Sequence, residues 1–567
     1  MRPDSALDPS AVGLSSSTQS PQPNTPSTSV LEADIDSATE TTPLIMALSE
    51  DKGHSEEVNT ISKDDAERQR SNSIQHGDRA AQLFGDQRVS LTEEDNIRIR
   101  KKIDRVILPI LVWVYFLQIL DKSVLGYGAV LGLRTDTGLT GNQYSLVSSV
   151  SAMAQLGWQP FSSYLIVKVP HRYLMPALVL GWGLAQTFMA VCHNFGGLSP
   201  PVGLFEAGCL PLFSVITSHW YRRSEQPFRI ALWYGTNGLA TMFAAAVSYG
   251  FGSIANPSIA EWKILFLFVG IITIITAPIV YYYLDSDIPS ARFLTDHEKL
   301  QAIERVRANQ TGTGSREFKW SHVFEALIEP KSWLFVGMTL CLNTGAAVTN
   351  TFGPLIIQGL GFTPRLTSLL NIPFGAVQLA VILPSSWLAH RYRVKSPFLA
   401  ALMLPVLAGN VMLYTLPRSN SGPLLAGYYL FAFLFGGNPL IVSWIISNFG
   451  GSTKKSVVMS LYNAGSSAGN IIGPLLFNSK DAPNYYPGLK SVLGIIAAMI
   501  AAIGIQFLNL WFLNKLQRKK RVRNGKPADM KDYSMQRTYE ARSEEEGSDQ
   551  GLLDLTDRKN DEFIYVY

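Results

Sequence analysis

Charged residues are scarce in this chain, since Asp, Glu, Lys and Arg make up only 16% of its 567 residues. A soluble protein of that length carries about 25%. The deficit lies between about residues 103 and 513, while both ends are polar. A net charge of +4 is too small to indicate a nucleic-acid partner. The sequence therefore indicates a protein embedded in a lipid bilayer, with solvated ends.

Cysteine is equally scarce, and Cys192, Cys209 and Cys341 all lie within apolar stretches without metal-like spacing. This excludes a disulfide framework and a zinc site. The chain also lacks a phosphate-binding Walker loop, a hydrolase triad and any other metal-ligand cluster. We therefore expect no enzyme activity and no cofactor, and any active transport has to be coupled to an ion gradient.

Twelve apolar stretches are each long enough to cross a hydrocarbon layer about 30 Å thick as a helix. They cover about residues 104–127, 142–165, 172–193, 200–220, 228–252, 262–284, 333–358, 365–389, 397–416, 423–448, 456–478 and 488–513. Lys and Arg cluster in one alternate set of the connecting loops, as at Arg222–Arg223 and Lys454–Lys455. This asymmetry predicts that both ends of the chain are cytoplasmic.

The polar connections divide the chain into five parts. Residues 1–98 are predicted to be a disordered cytoplasmic tail, because they are rich in Ser, Thr, Pro, Asp and Glu. Residues 99–284 and 333–514 form two six-helix halves, separated by a cytoplasmic loop at 285–332 in which Thr295 begins a helix. Residues 515–567 form a cytoplasmic C-terminal tail. We expect an all-α polytopic membrane protein with 12 transmembrane helices in two six-helix halves.

An acid and a base lie together in the first stretch, at Asp121 and Lys122. At ~1.5 Å per residue, Asp121 is about 24 Å along the helix from Arg105, well inside the bilayer. Glu206 in the fourth stretch is expected about 10 Å from the outer surface, at a similar depth. Charges at that depth are costly unless they serve a site, so we predict proton binding at Asp121 and Glu206, with Lys122 holding an anionic substrate. The alternative is that Asp121 and Lys122 are hydrated at the outer interface.

Further polar residues are candidates for contact with the substrate. Tyr115 and Gln118 share one helical face with Lys122. The second half supplies Asn343, Thr344 and Asn350 in the seventh stretch, and Asn438 and Trp444 in the tenth. Gly436–Pro439 predicts a break in the tenth helix that frees backbone groups. The alternative for each of these side chains is hydrogen bonding between helices. Small residues at Gly465, Gly469 and Gly473, and glycines in the fifth stretch, predict close helix packing.

Several of these stretches resemble the fungal allantoate permease-like branch of the anion:cation symporter family, within the major facilitator superfamily. The motifs are Leu120-Asp-Lys122, Gly203-Leu-Phe-Glu-Ala-Gly208, Ser218–Glu225, Ser443–Lys455 and Gly469–Pro474. The resemblance implies proton-coupled uptake of a small carboxylate, ureide or vitamin-like acid such as allantoate, nicotinate or pantothenate. It assigns protonatable roles to Asp121 and Glu206 and anion contact to Lys122. Ser199 departs from the family pattern, in which an arginine is frequent at this position.

We therefore expect a secondary transporter whose partners are a small-molecule substrate, protons and the lipid bilayer. Efflux of a metabolite and a non-transporting nutrient receptor that signals through its tails are the alternatives. The plasma membrane is the expected location, with the vacuolar membrane as the alternative. Glu40–Ile45 has the form of a dileucine sorting signal, and Arg68–Ser73 that of a phosphorylation site, so the tails are candidates for binding sorting or endocytic adaptors.

Overall fold

A computed structural model describes residues 89–138, 143–193, 202–254, 259–309, 315, 317–359, 364–417, 420–476, 486–536 and 553–567. These ranges form helices and contain no strand, which confirms the predicted all-α fold. The sorting and phosphorylation patterns of the N-terminal tail lie outside the described residues, as does Ser199.

The helices fall into two groups that flank a polar connection. The first group comprises α1 (Glu93–Val130), α2 (Leu133–Asp136), α3 (Gln143–Lys168), α4 (His171–Met189), α5 (Val202–Glu206), α6 (Cys209–Trp220), α7 (Gln226–Phe251) and α8 (Glu261–Tyr283). The connection contains α9 (Asp296–Arg307) and α10 (Trp320–Ile328). The second group comprises α11 (Pro330–Gly359), α12 (Pro364–Tyr392), α13 (Ser396–Thr415), α14 (Ser421–Leu430), α15 (Gly437–Asn448), α16 (Ser452–Leu475) and α17 (Tyr486–Arg523).

Each of the twelve predicted apolar stretches contains helix over most of its described residues. Within the described part of the chain, eight helical segments are long and apolar enough to span a membrane. The segments that fall short by this measure are α3, α4, the α5–α6 pair and α16. In α3 and α16 the apolar pattern is interrupted by Ser, Gln and Asn, and the fourth stretch is divided between two short helices. These are the helices that carry much of the polar lining described below.

Capping residues fix where α1 and α9 begin. Thr92 caps α1 through its hydroxyl, which accepts from the backbone N–H of Asp95, so α1 begins inside the stretch assigned to the N-terminal tail. Thr295 and Glu298 form the predicted capping box of α9. That helix buries Ile303 and Val306 and packs against α1 and α6.

The two groups meet along two helix pairs, α3 with α16 and α7 with α12. A Cβ atom at Gly238 on α7 would lie 2.2 Å from the carbonyl oxygen of Gly375 on α12, so this crossing requires glycine. Within the second group, Cβ atoms at Gly469 and Gly473 on α16 would lie 2.8 and 2.6 Å from carbonyl oxygens of α11. The predicted packing role of these glycines is therefore confirmed.

Basic loops gather at one end of the bundle, here named the basic side, which carries residues 98–105, 222–223, 391–395 and 454–455. The groups are in contact there. Lys455 Nζ lies 3.2 Å from the hydroxyl of Ser218, and the hydroxyl of Ser456 donates to the carbonyl of Ser163 at 3.0 Å. The basic side is therefore closed in this structure.

Candidate functional site

Asp121 is buried on α1 among residues of the first group. Its Oδ2 accepts a hydrogen bond of 2.9 Å from the indole Nε1 of Trp182 on α4. Its Oδ1 is buried and has no hydrogen-bond partner among the residues that the structure describes. A buried acceptor without a partner costs about 1–3 kcal/mol. A proton on this carboxyl group, or a donor from a ligand, would remove that cost.

Lys122 and Glu206 form the ion pair at the centre of the site. Lys122 Nζ lies 3.8 Å from Glu206 Oε2, and 45% of the lysine side chain is exposed against 2% of the glutamate. The same Oε2 accepts from Gln155 Nε2 on α3 at 2.6 Å. Glu206 Oε1 is buried without a hydrogen-bond partner. The protein thus pairs one oxygen of the Glu206 carboxylate and leaves the other oxygen available for a ligand.

A break in the fourth stretch positions Glu206. The helix α5 ends at Glu206, and α6 begins at Cys209 after Gly208. The backbone carbonyl of Ala207 lies in this break and accepts from Asn463 Nδ2 of α16 at 2.9 Å. Gly203, one turn before Glu206, would place a Cβ only 2.2 Å from the carbonyl oxygen of Ser151 on α3. Its lack of a side chain lets α5 approach α3 closely enough for the carboxylate to meet Gln155.

A second polar cluster joins the two groups beside this site. The hydroxyls of Tyr234 on α7 and Tyr462 on α16 are 3.1 Å apart. Tyr462 donates to Asn438 Oδ1 at 2.8 Å, and Asn343 Nδ2 contacts the same oxygen at 3.4 Å. The ring of Tyr115 packs against that of Tyr234 with 5.0 Å between centroids. The structure therefore brings Tyr115, Asn343 and Asn438, three of the predicted site residues, into one cluster.

The remaining predicted residues have different surroundings. Gln118 is buried, and its Oε1 has no hydrogen-bond partner. The hydroxyl of Thr344 donates to the carbonyl of Leu340 within its own helix. Trp444 faces the C-terminal segment instead, because its Nε1 donates to the carbonyl of Val566 at 2.8 Å. The side chain of Asn350 lies outside the described residues. The tenth stretch is interrupted by a 3₁₀ turn at Phe431–Gly436, just before the predicted break, whereas Gly437 to Pro439 already belong to α15.

Sequence reasoning missed several side chains that complete the site. Gln155 and Gln159 lie one turn apart on α3, and this spacing within an apolar stretch was a usable signal. Tyr462 and Asn463 lie on α16, whose glycine pattern drew attention to packing alone. Trp182 gave no signal, because an indole in an apolar helix is ordinarily a core residue.

Ion pairs on the basic side are separate from this site. Glu225 precedes α7 and accepts from Arg305 of α9 at 2.9 and 3.0 Å. Burial alone would raise the pKa of Glu225, but Arg305 and Arg229 outweigh burial and lower it to about 2. Glu225 is therefore ionised at neutral pH and joins the start of α7 to α9.

The central site combines one cation with several unpaired acceptor oxygens. Buried acceptors without partners lie on Asp121, Glu206 and Gln118, and a half-exposed cation lies at Lys122. Among the residues that the structure describes, no group of His, Cys, Asp and Glu is arranged to hold a metal ion. The arrangement suits a ligand that places a negative group near Lys122 and hydrogen-bond donors near the unpaired oxygens of Asp121, Glu206 and Gln118.

Comparison with known proteins places these features in a family context. A sequence profile described as Major Facilitator Superfamily matches residues 111–474. The chain is 32% identical over 493 residues to the uncharacterized transporter C757.13 of Schizosaccharomyces pombe, covering 86% of this chain and 90% of that protein. It is 28% identical over 497 residues to the allantoate permease of Saccharomyces cerevisiae, covering 84% and 88%.

A solved structure has the same fold. The proton:xylose symporter XylE, bound to 6-bromo-6-deoxy-D-glucose, superposes with a TM-score of 0.57 at 12% sequence identity, and the match covers 70% of this chain and 95% of that one. At such low identity the likeness concerns the arrangement of helices alone.

Proposed function

The chain belongs to the Major Facilitator Superfamily of membrane transporters, in its fungal allantoate permease-like branch, and we propose that it carries a small organic anion across the membrane together with protons. The observation that supports this proposal is the Lys122–Glu206 pair, in which a half-exposed cation contacts a buried carboxylate. The substrate classes are those implied by the branch, namely a carboxylate, a ureide or a vitamin-like acid. The proposal includes no enzyme activity.

Competition for Lys122 would couple the anion to the proton. A substrate carboxylate that binds Lys122 takes the place of Glu206 Oε2 at the ammonium group. Glu206 then keeps its hydrogen bond from Gln155 but loses its neighbouring cation, and a buried carboxylate without a cation gains a proton readily. Anion and proton would therefore bind together. Asp121, whose Oδ1 has no partner, is the second proton acceptor of the proposal.

Movement between the two groups would deliver the substrate. Residues of both groups line the site, since Asn463 reaches Ala207 and Tyr462 reaches Tyr234. Rocking of one group against the other would break these contacts and open one side at a time. We propose that the basic side faces the cytoplasm, following the loop charges. The plasma membrane is the proposed location, with the vacuolar membrane as the alternative.

Radiolabelled uptake across a panel of carboxylates and ureides, measured in a transporter-deficient host, tests this function. Once a substrate is found, Asp121→Asn and Glu206→Gln are compared with the wild type in proteoliposomes between pH 5 and pH 8. We expect uptake to lose its dependence on pH in both variants. Asp136→Asn is the matched control, because Asp136 also accepts from an indole, that of Trp262, but lies outside the site.

The same vesicles separate the alternatives. Retention of the wild-type pH dependence in both carboxylate variants would overturn the proton-coupling proposal. Substrate movement out of loaded vesicles, with none inward under the opposite gradient, would favour the efflux alternative. Failure of every compound to move in either direction would favour a receptor.

A further inference from the structure

Residues 553–567, here named the strap, are folded into the basic side of the bundle. The side chains of Thr556, Asp557, Asn560 and Phe563 are fully buried, although the segment contains little regular secondary structure. A segment of this kind is ordinarily solvated unless specific contacts offset the entropy cost of ordering it. The strap has such contacts along most of its length.

Asp557 anchors the strap between two lysines of the second group. Its Oδ1 lies 2.8 Å from Lys454 Nζ, and its Oδ2 pairs with Lys331 Nζ. The hydroxyl of Tyr565 donates to the same Oδ2 at 2.8 Å. Burial alone would raise the pKa of Asp557, but Lys331 and Lys454 outweigh it and hold this pKa below its ordinary value. The carboxylate is therefore charged throughout the physiological pH range.

Backbone hydrogen bonds hold the last residues of the strap. Asn448 donates to the carbonyl of Val566 at 2.9 Å and accepts from its N–H at 2.8 Å. Asn514 forms the same two-way contact with Tyr565, at 2.9 Å in each direction. The backbone N–H of Lys395 donates to the carbonyl of Tyr567 at 2.8 Å. All three partners belong to the second group or border it.

Arg223 connects the strap to the first group. Its Nη2 donates to the carbonyl of Ile564 at 2.8 Å, and its guanidinium lies 4.8 Å from the ring centroid of Phe563. The same Nη2 also donates to the carbonyl of Ser447 at the end of α15. One arginine from the α6–α7 loop is therefore held by the second group and by the strap together.

A short turn earlier in the same tail reaches the first group as well. Arg222 Nη2 donates to the carbonyl of Tyr533 at 2.9 Å, and the backbone N–H of Ser224 donates to the carbonyl of Ser534 at 3.2 Å. The tail thus contacts both groups. Residues 533–534 contact the first group, and the strap is anchored on the second.

We propose that the basic side is a binding site for the protein's own strap, which latches the two groups together and has to release Arg223 before this side can open. The latch rests on the proposed alternating movement, but its test needs no substrate. The strap makes more kinds of contact with the second group than with Arg223, because only the second group forms ion pairs with Asp557 and two-way backbone hydrogen bonds. The strap therefore stays with the second group when Arg223 is released.

Cysteine labelling of purified protein in detergent tests the latch. With Cys192, Cys209 and Cys341 replaced by alanine, Ser218→Cys places a reporter at the buried contact between the groups. A bulky water-soluble maleimide should label it slowly. Phe563→Ala removes the ring beneath Arg223 and leaves the Asp557 anchor in place, so we expect labelling to be roughly 2- to 30-fold faster. Deletion of residues 553–567 should accelerate labelling by more than Phe563→Ala.

Two controls make the result decisive. Arg558→Ala changes an exposed side chain of the strap and should label at the wild-type rate. Adding a synthetic peptide of residues 553–567 to the deletion variant should restore slow labelling, whereas a scrambled peptide should not. Equal labelling rates for wild type, Arg558→Ala and Phe563→Ala would overturn the proposal, even if the deletion variant aggregates.

Discussion

Lys122 and Glu206 form an ion pair whose members sit in different environments, and this asymmetry determines what each substitution does. The glutamate is buried, whereas the lysine side chain is nearly half exposed. Removing the cation leaves a buried carboxylate without a countercharge, and this is the more costly of the two ways to break such a pair. Removing the carboxylate leaves a cation that solvent can stabilise.

A double-variant cycle measures this asymmetry. We expect Lys122→Gln to lower the free energy of unfolding by about 1–2 kcal/mol, a modest value because the lysine is half exposed. Glu206→Gln should cost less, and the double variant should recover part of the loss of Lys122→Gln. Thermal unfolding in detergent measures all four proteins. Strictly additive losses would mean that the two side chains do not interact.

At the scale of the helix, Gly203 controls the distance between α5 and α3. A methyl group there would meet the carbonyl oxygen of Ser151 at 2.2 Å, so the helices would have to separate. The hydrogen bond from Gln155 to Glu206 would then lengthen, although neither residue is altered.

We therefore expect Gly203→Ala to destabilise the protein by about 1–3 kcal/mol and to abolish most transport. Gly157→Ala is the matched control, because a Cβ at Gly157 on α3 meets nothing within 4 Å and should leave both properties unchanged. Unfolding temperature and initial uptake rate are the two measurements. Normal transport by Gly203→Ala would show that the α3–α5 contact does not position Glu206.

Hydropathy predicted the helical stretches, because a bilayer allows few other ways to satisfy the backbone, and eight segments in the described part of the chain are long and apolar enough to span a membrane. The glycines predicted the helix crossings, and depth along two helices predicted that Lys122 and Glu206 would approach each other. Which polar side chains become buried depends on which helix faces pack against each other in the fold, so Gln155, Asn463 and Tyr462 were not predicted. The strap was missed for the same reason, since its partners lie more than 100 positions away at Asn448 and Lys331.

For the whole molecule, the proposed alternating movement requires that the contacts on the basic side break. Ser163 and Ser456 lie on opposite groups, and the hydroxyl of Ser456 is 3.0 Å from the carbonyl oxygen of Ser163. This contact makes the two positions suitable for an engineered disulfide cross-link.

We expect oxidation of a Ser163→Cys/Ser456→Cys variant, made without the native cysteines, to stop uptake and reduction to restore it. Each single-cysteine variant, oxidised in the same way, should transport normally. Gel mobility after cleavage in the connection between the groups reports the extent of cross-linking. Full uptake by a cross-linked protein would contradict opening at this side.

The burial of Arg223 at the strap has a practical consequence. Trypsin cleaves after exposed lysine and arginine residues, and it cannot reach Arg223 while the basic side is closed. Cleavage after Arg223 would thus report how often this side opens. The proposed transport cycle would expose a protease site that the closed protein conceals.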